Sequence, residues 1–77
     1  MNHFETLQDL VANTLGIEKQ RITPAATQAE LAEWDSVSHL NLMLALEDTF
    51  GVKLSVAQMQ RLVSVPEMLE FLKEHGL

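Results

Sequence analysis

In the stretch EWDSVSHLNLMLALEDTF, Asp35, Ser36 and His39 lie close enough together for their groups to do chemistry jointly. A serine beside an acid, and one helical turn ahead of an imidazole, supports three readings. It caps a helix, it is a nucleophile activated by His39, or it is an attachment point for a group the sequence does not encode. The nucleophile reading lacks parts. The flanks W-D-S-V-S have none of the small residues of a nucleophile elbow, no third group is indicated to orient the imidazole, and a short helical chain leaves little room for a closed substrate pocket. Asp35 and His39 offer two metal ligands without a third nearby, which seldom make a site. His3 and His75 lie at the ends of the sequence and read as solvated. Capping by Asp35 or Ser36 is the plain structural reading. Elsewhere, however, Ser55 is followed three residues on by Gln58 and Ser64 by Glu67, the partners that complete a capping box. Ser36 is followed by His39 and Asp35 by Ser38, so neither completes such a box, a hint of a further role that leaves the cap reading open.

The elements that must position these groups are helices. Apolar residues recur at three- and four-residue intervals, without the sustained alternation of strands. The spacing predicts a first helix over about residues 3–15, with Phe4, Leu7, Val11 and Leu15 on one face and Gly16 as its stop. A second is predicted over about 36–50, ending before Gly51. SVAQMQRL reads as a short third helix opening on Ser55 and Gln58. SVPEMLEFLKEHG reads as a fourth, capped the same way by Ser64 and Glu67, with Pro66 in its first turn and Val65, Met68, Leu69 and Leu72 on its apolar side. The long connection IEKQRITPAATQAELAEW, broken by Pro24, has the capping pair Thr27 and Glu30 that could introduce a one-turn helix, with Ile17, Ile22, Leu31 and Trp34 as its anchors in the core.

Seventy-seven residues of which 47% are apolar describe one small all-α domain spanning 1–77, a four-helix bundle with a short third helix and a long loop between helices one and two. With no cysteine, neither a disulfide nor a cysteine-ligated zinc supports the core. MNHFETLQDLV lacks a basic region followed by a continuous apolar segment, and no run approaches a membrane span. The expectation is a cytoplasmic monomer. The formal charge is −6, and no base lies between Arg21 and Lys53. Such a surface repels nucleic acid and anionic membrane and favours partners with basic patches.

The second helix carries two apolar stripes. At 100° per residue, Val37, Leu40, Asn41, Leu44 and Asp48 fall on one, and His39, Leu42, Met43, Leu46 and Phe50 on the other. In a bundle this small one stripe must meet solvent, and the stripe holding Asn41 and Asp48 is the better candidate. Val37, Leu40 and Leu44 then form an exposed patch beside acids, as a docking face does. A helical docking adaptor without any prosthetic group fits that pattern too.

The segment LAEWDSVSHLNLMLALEDTFGVKL, residues 31–54, resembles the acyl carrier proteins and the related peptidyl carrier domains. Their signature is Asp-Ser-Leu at the start of the second helix, followed by an apolar and acidic helix closing in Phe-Gly or similar. The likeness runs through nearly the whole chain. It implies that Ser36 receives 4′-phosphopantetheine from coenzyme A through a phosphodiester made by a separate phosphopantetheinyl transferase, that Asp35 assists that modification, and that the arm holds acyl or aminoacyl groups as thioesters. The protein is then a carrier and not an enzyme. Its implied partners are the transferase, an acyl- or aminoacyl-activating ligase, and ketosynthase, acyltransferase or similar enzymes of fatty acid, polyketide, nonribosomal peptide or related pathways. They would meet Val37, Leu40, Asn41, Leu44, Glu47 and Asp48 through basic surfaces.

Departures from the family pattern are Val37 for leucine after the serine, Asn41 at a position commonly acidic, and Arg61 in the third helix. With Trp34 and His39 around the motif, they resemble free-standing carriers of specialised pathways. Met43, Met59 and Met68 read first as core. Their flexible side chains are also what a core opening to admit a cargo chain would use, as in some members of the family.

Overall fold

The computed structural model describes residues 3–77. The helices are α1 (His3–Leu15), α2 (Ser36–Phe50), α3 (Val56–Arg61) and α4 (Val65–Glu74). The described residues contain no strand, only an isolated antiparallel bridge between Thr27 and Ser64. The all-helical expectation therefore holds, with three longer helices and a short third one.

The core forms where three helical stripes converge. Leu7 and Val11 of α1, Leu42, Met43 and Leu46 of α2, and Val65, Met68 and Leu72 of α4 are all fully buried. α1 packs against both α2 and α4, and Phe4, Leu15 and Phe50 close the edge of the cluster. Phe71 adds to the buried side of α4. Both long helices before α3 stop at a glycine in the left-handed region, Gly16 at φ 68° and Gly51 at φ 66°. That conformation turns the next amide back onto the helix: Ile17 N–H donates to the Ala12 carbonyl at 3.1 Å and Val52 N–H to that of Glu47 at 3.2 Å.

Two local expectations need correction. Thr27 to Glu30 forms a turn, not a helix. Thr27 lies in the bridge to Ser64, where Gln28 N–H donates to Val63 and Val65 N–H to Ala26, and its hydroxyl donates to the Glu30 carboxylate at 3.0 Å while Glu30 N–H closes a turn on the Thr27 carbonyl. A 3-10 turn occurs earlier, at Lys19–Arg21. There the Gln8 amide of α1 donates to the carbonyls of Lys19 and Ile22, at 3.0 and 2.9 Å. The cap of α4 also differs from the reciprocal box found at Ser55 and Gln58. Ser64 Oγ accepts from Glu67 N–H, but the Glu67 carboxylate accepts from the Ser64 hydroxyl at 3.0 Å. The reason is burial, since the enclosed hydroxyl hydrogen of Ser64 needs an acceptor.

The long connection is tied down at several points. Ile22, Ala26, Leu31 and Trp34 are buried and Ile17 is half-buried. Arg21 grips Glu33 with two parallel bonds of 2.7 and 2.9 Å. The residues just ahead of Asp35 and Ser36 are thus held on both sides.

Candidate functional site

Asp35 caps α2. Its backbone is extended, its carbonyl accepts the first helical bond from His39 N–H at 2.8 Å, and its carboxylate accepts from Ser38 N–H at 2.8 Å. That amide, followed by the Ser38 hydroxyl, holds the Asp35 carboxyl below the ordinary aspartate range. The carboxylate also sits at the positive end of the helix. The alternative left open by the sequence is thereby decided, because Ser36 is not the cap. It is the first helical residue, exposed, and its hydroxyl has no hydrogen-bond partner among the described residues. A free hydroxyl on a rigid helix end is suited to substitution by an outside reagent.

His39 is committed elsewhere. The Trp34 indole Nε1–H donates to its Nδ1 at 3.0 Å, and its Nε2 lies 2.6 Å from the Met59 carbonyl. An indole nitrogen only donates and a carbonyl only accepts, so Nδ1 is bare and Nε2 carries the proton. Neither nitrogen remains to take a proton from Ser36 or to join Asp35 on a metal ion. The hydrolase and metal readings lose their central residue on this geometry. Trp34 does serve as an anchor, 2% exposed, and its indole N–H is also a donor in the site. The expectation that His3 and His75 are solvated holds for His75, which is exposed although it also makes local contacts, and fails for His3. His3 is half-buried, edge-on to Phe50, and His75 packs on Phe71 with Nδ1 at 2.9 Å from the Phe71 carbonyl.

The outward stripe of α2 carries Val37, Leu40 and Leu44 at 71, 55 and 52% exposure, with Asn41 and Asp48 exposed among them. Glu47 is half-buried and differs from its neighbours, since one of its oxygens accepts from Leu54 N–H at 2.7 Å. A shallow groove lined by Leu44, Glu47, Asp48, Val52 and Lys53 continues the patch towards α3. Met43 and Met68, by contrast, are wholly enclosed. Sequence reasoning missed the double role of His39, the Arg21–Glu33 clamp and the Gln8 tie. The one available signal for the first was a tryptophan and a histidine five residues apart across a helix start, and such spacing does not tell which way either ring points.

The sequence matches the family described as phosphopantetheine attachment site over residues 5–72, and the chain belongs to that family. It is a carrier protein with a covalently attached 4′-phosphopantetheine group, and its work is carriage, not catalysis of its own. Among its relatives are acyl carrier proteins of Thermosynechococcus vestitus, 32% identical, covering 94% of this chain and 93% of the relative, and of Rubrobacter xylanophilus, 28% identical, covering 94% and 89%. The acyl carrier protein of Helicobacter pylori strain G27 is 28% identical, covering 96% and 95%. No helix among the described residues is long and apolar enough to cross a membrane.

Proposed function

We propose that Ser36 bears the phosphopantetheine and that the chain carries acyl or aminoacyl thioesters between enzymes of a biosynthetic pathway. The observation that carries this reading is the unpartnered, exposed hydroxyl of Ser36 directly after a helix cap supplied by another residue. In the modifying step the Ser36 oxygen attacks the phosphate next to pantetheine in coenzyme A. A serine–phosphate bond forms, the pyrophosphate bond breaks, the nucleotide part leaves, and the hydroxyl proton passes to the transferase. When attached, the group supplies the thiol that a cysteine-free chain lacks. Asp35 holds the helix start in one geometry for that encounter. The outward stripe Val37, Leu40, Asn41, Leu44 and Asp48 supports a docking role for α2, in which apolar side chains make the contact and acids meet basic groups of partners. Glu47 contributes there with its second oxygen only, the first being used at Leu54. We read the chain as one carrier domain working as a monomer in the cytoplasm. Activating ligases, ketosynthases and acyltransferases are the enzyme classes such a face would serve.

Incubation with coenzyme A and a broad-specificity phosphopantetheinyl transferase, followed by intact mass spectrometry, tests the assignment. The wild-type protein gains one phosphopantetheine and Ser36→Ala gains none. Since Ser36 is not the cap, Ser36→Ala keeps its helical signal, and the lost mass increase reports chemistry and not unfolding. A modified Ser36→Ala protein, or an unmodified wild type, would sink the proposal. The adaptor reading without a prosthetic group predicts the second of those results.

A further inference from the structure

We infer that His39 is a positioning residue: its neutral imidazole ties α3 to the Ser36 end of α2 and so sets the surface on which Ser36 meets its modifying enzyme. The kinetic part of this inference rests on the proposed role of Ser36. The structural part does not.

α3 spans only Val56–Arg61 and contains no buried residue, too little to persist by itself. Its position depends on what grips it. Its N-terminal side is braced where Leu54 N–H donates to Glu47, and its C-terminal half where the Met59 carbonyl accepts from His39. Both braces come from α2. The Met59 carbonyl is among the last of α3, where the helix offers no amide to receive it. The amides that follow are already used, Leu62 N–H on the Gln58 carbonyl and Val63 N–H on that of Arg61. Without His39 the Met59 carbonyl has lost its partner.

The tautomer that makes this bond is enforced from the other side of the ring. The Trp34 indole is buried and its N–H has no other acceptor among the described residues, so Nδ1 must stay bare and the proton must stand on Nε2, aimed at Met59. Trp34 in turn precedes the cap residue Asp35 and is fixed by a turn in which its backbone N–H donates to the Leu31 carbonyl at 2.9 Å. One imidazole therefore connects the long loop, the first turn of α2 and the end of α3. It does so one turn beyond Ser36, with no hydrogen bond to Ser36 itself. A change at His39 alters what an enzyme docks on and leaves the attacking hydroxyl untouched.

The two ring bonds can be removed separately. The side-chain oxygen in His39→Asn stands near the place of Nδ1 and keeps an acceptor for Trp34, but nothing reaches Met59. In His39→Gln the amide nitrogen stands near the place of Nε2 and keeps the donor to Met59. His39→Phe removes both. In the wild-type apo protein, long-range proton–nitrogen correlation NMR should show His39 protonated at Nε2 alone. In His39→Phe and His39→Asn the amides of Met59 and Leu62 should exchange about tenfold faster, the effect of losing one hydrogen bond of ordinary strength. For both variants the KM of the transferase for the carrier should rise several-fold with kcat unchanged, while His39→Gln restores exchange protection and KM. A proton on Nδ1 in the wild type, unchanged α3 exchange in His39→Asn, or a fall in kcat with KM constant would each overturn the inference. Should His39→Phe not fold, the wild-type tautomer and the Asn–Gln contrast still decide it. A wild type that gains no phosphopantetheine refutes the role of Ser36 alone, and the tautomer and exchange measurements then judge the latch.

Discussion

Replacing Leu46 and Leu44 separately by alanine distinguishes the two apolar stripes of α2. Leu46 is fully buried, and truncation to alanine removes three carbons from the core. At about 0.8 kcal/mol for each buried methylene the transfer loss is roughly 2.4 kcal/mol, and the cavity left behind raises the cost to about 3–4 kcal/mol. A domain of this size has a total stability of about 4–12 kcal/mol, so the midpoint of unfolding should fall by roughly 12–30 °C. Leu44 is 52% exposed, so about half of the transfer loss, roughly 1 kcal/mol, is at stake. It faces solvent, so no cavity forms, and alanine's better helix propensity returns a few tenths of a kcal/mol. The net cost is below about 1 kcal/mol. Urea unfolding followed by circular dichroism at 222 nm measures both, with an unchanged denaturant slope confirming that stability alone has moved. The same Leu44→Ala protein should be a poorer substrate for the transferase despite its intact fold. Equal stability losses at the two positions would refute the assignment of faces, and the docking role of α2 would lose its basis.

The cap and the helix stop give two further tests. Asp35 has a folded value below its unfolded one, so its contribution is fully present above the ordinary aspartate value of about 3.9 and is lost as pH falls through the lower folded value. The Asp35 carboxyl carbon and the Ser38 amide should titrate together by NMR in that acid window, and Asp35→Asn should abolish the transition while keeping an acceptor. A carboxyl titrating at or above the ordinary value contradicts the cap. Gly51→Ala places its new methyl in open space, with no atom within 4 Å, at φ 66°. The loss comes from the left-handed backbone alone, about 1–2 kcal/mol, and thermal unfolding that does not shift would refute that account.

Helix order and the core could be read from the sequence because both follow from local rules. Leu7 and Val11, or Val65, Met68 and Leu72, recur at helical spacing, and Gly16 and Gly51 adopt the only backbone that stops a helix in this way without strain. The outward face of α2 was legible for a related reason: Asn41 and Asp48 are costly to bury, so they choose which of two apolar stripes meets water. The reciprocal box at Ser55 and Gln58 was visible as well, being complete within four residues.

What the sequence could not settle lies where partners distant along the chain compete for one group. Thr27 to Glu30 carries a local helix signal, yet pairing with Ser64 holds Thr27 in a bridge and leaves only a turn after it. Gln8 makes a 3-10 turn at Lys19–Arg21 worthwhile only because α1 lies beside it. The sequence by itself determined the helices, the apolar core and the serine placed at a helix start, since side-chain type and spacing decide these within a few residues. Only the tertiary structure decided that Asp35 and not Ser36 is the cap, and that His39 is spent between Trp34 and Met59. A hydrogen bond depends on where two directed groups meet in space, and spacing along the chain does not specify that.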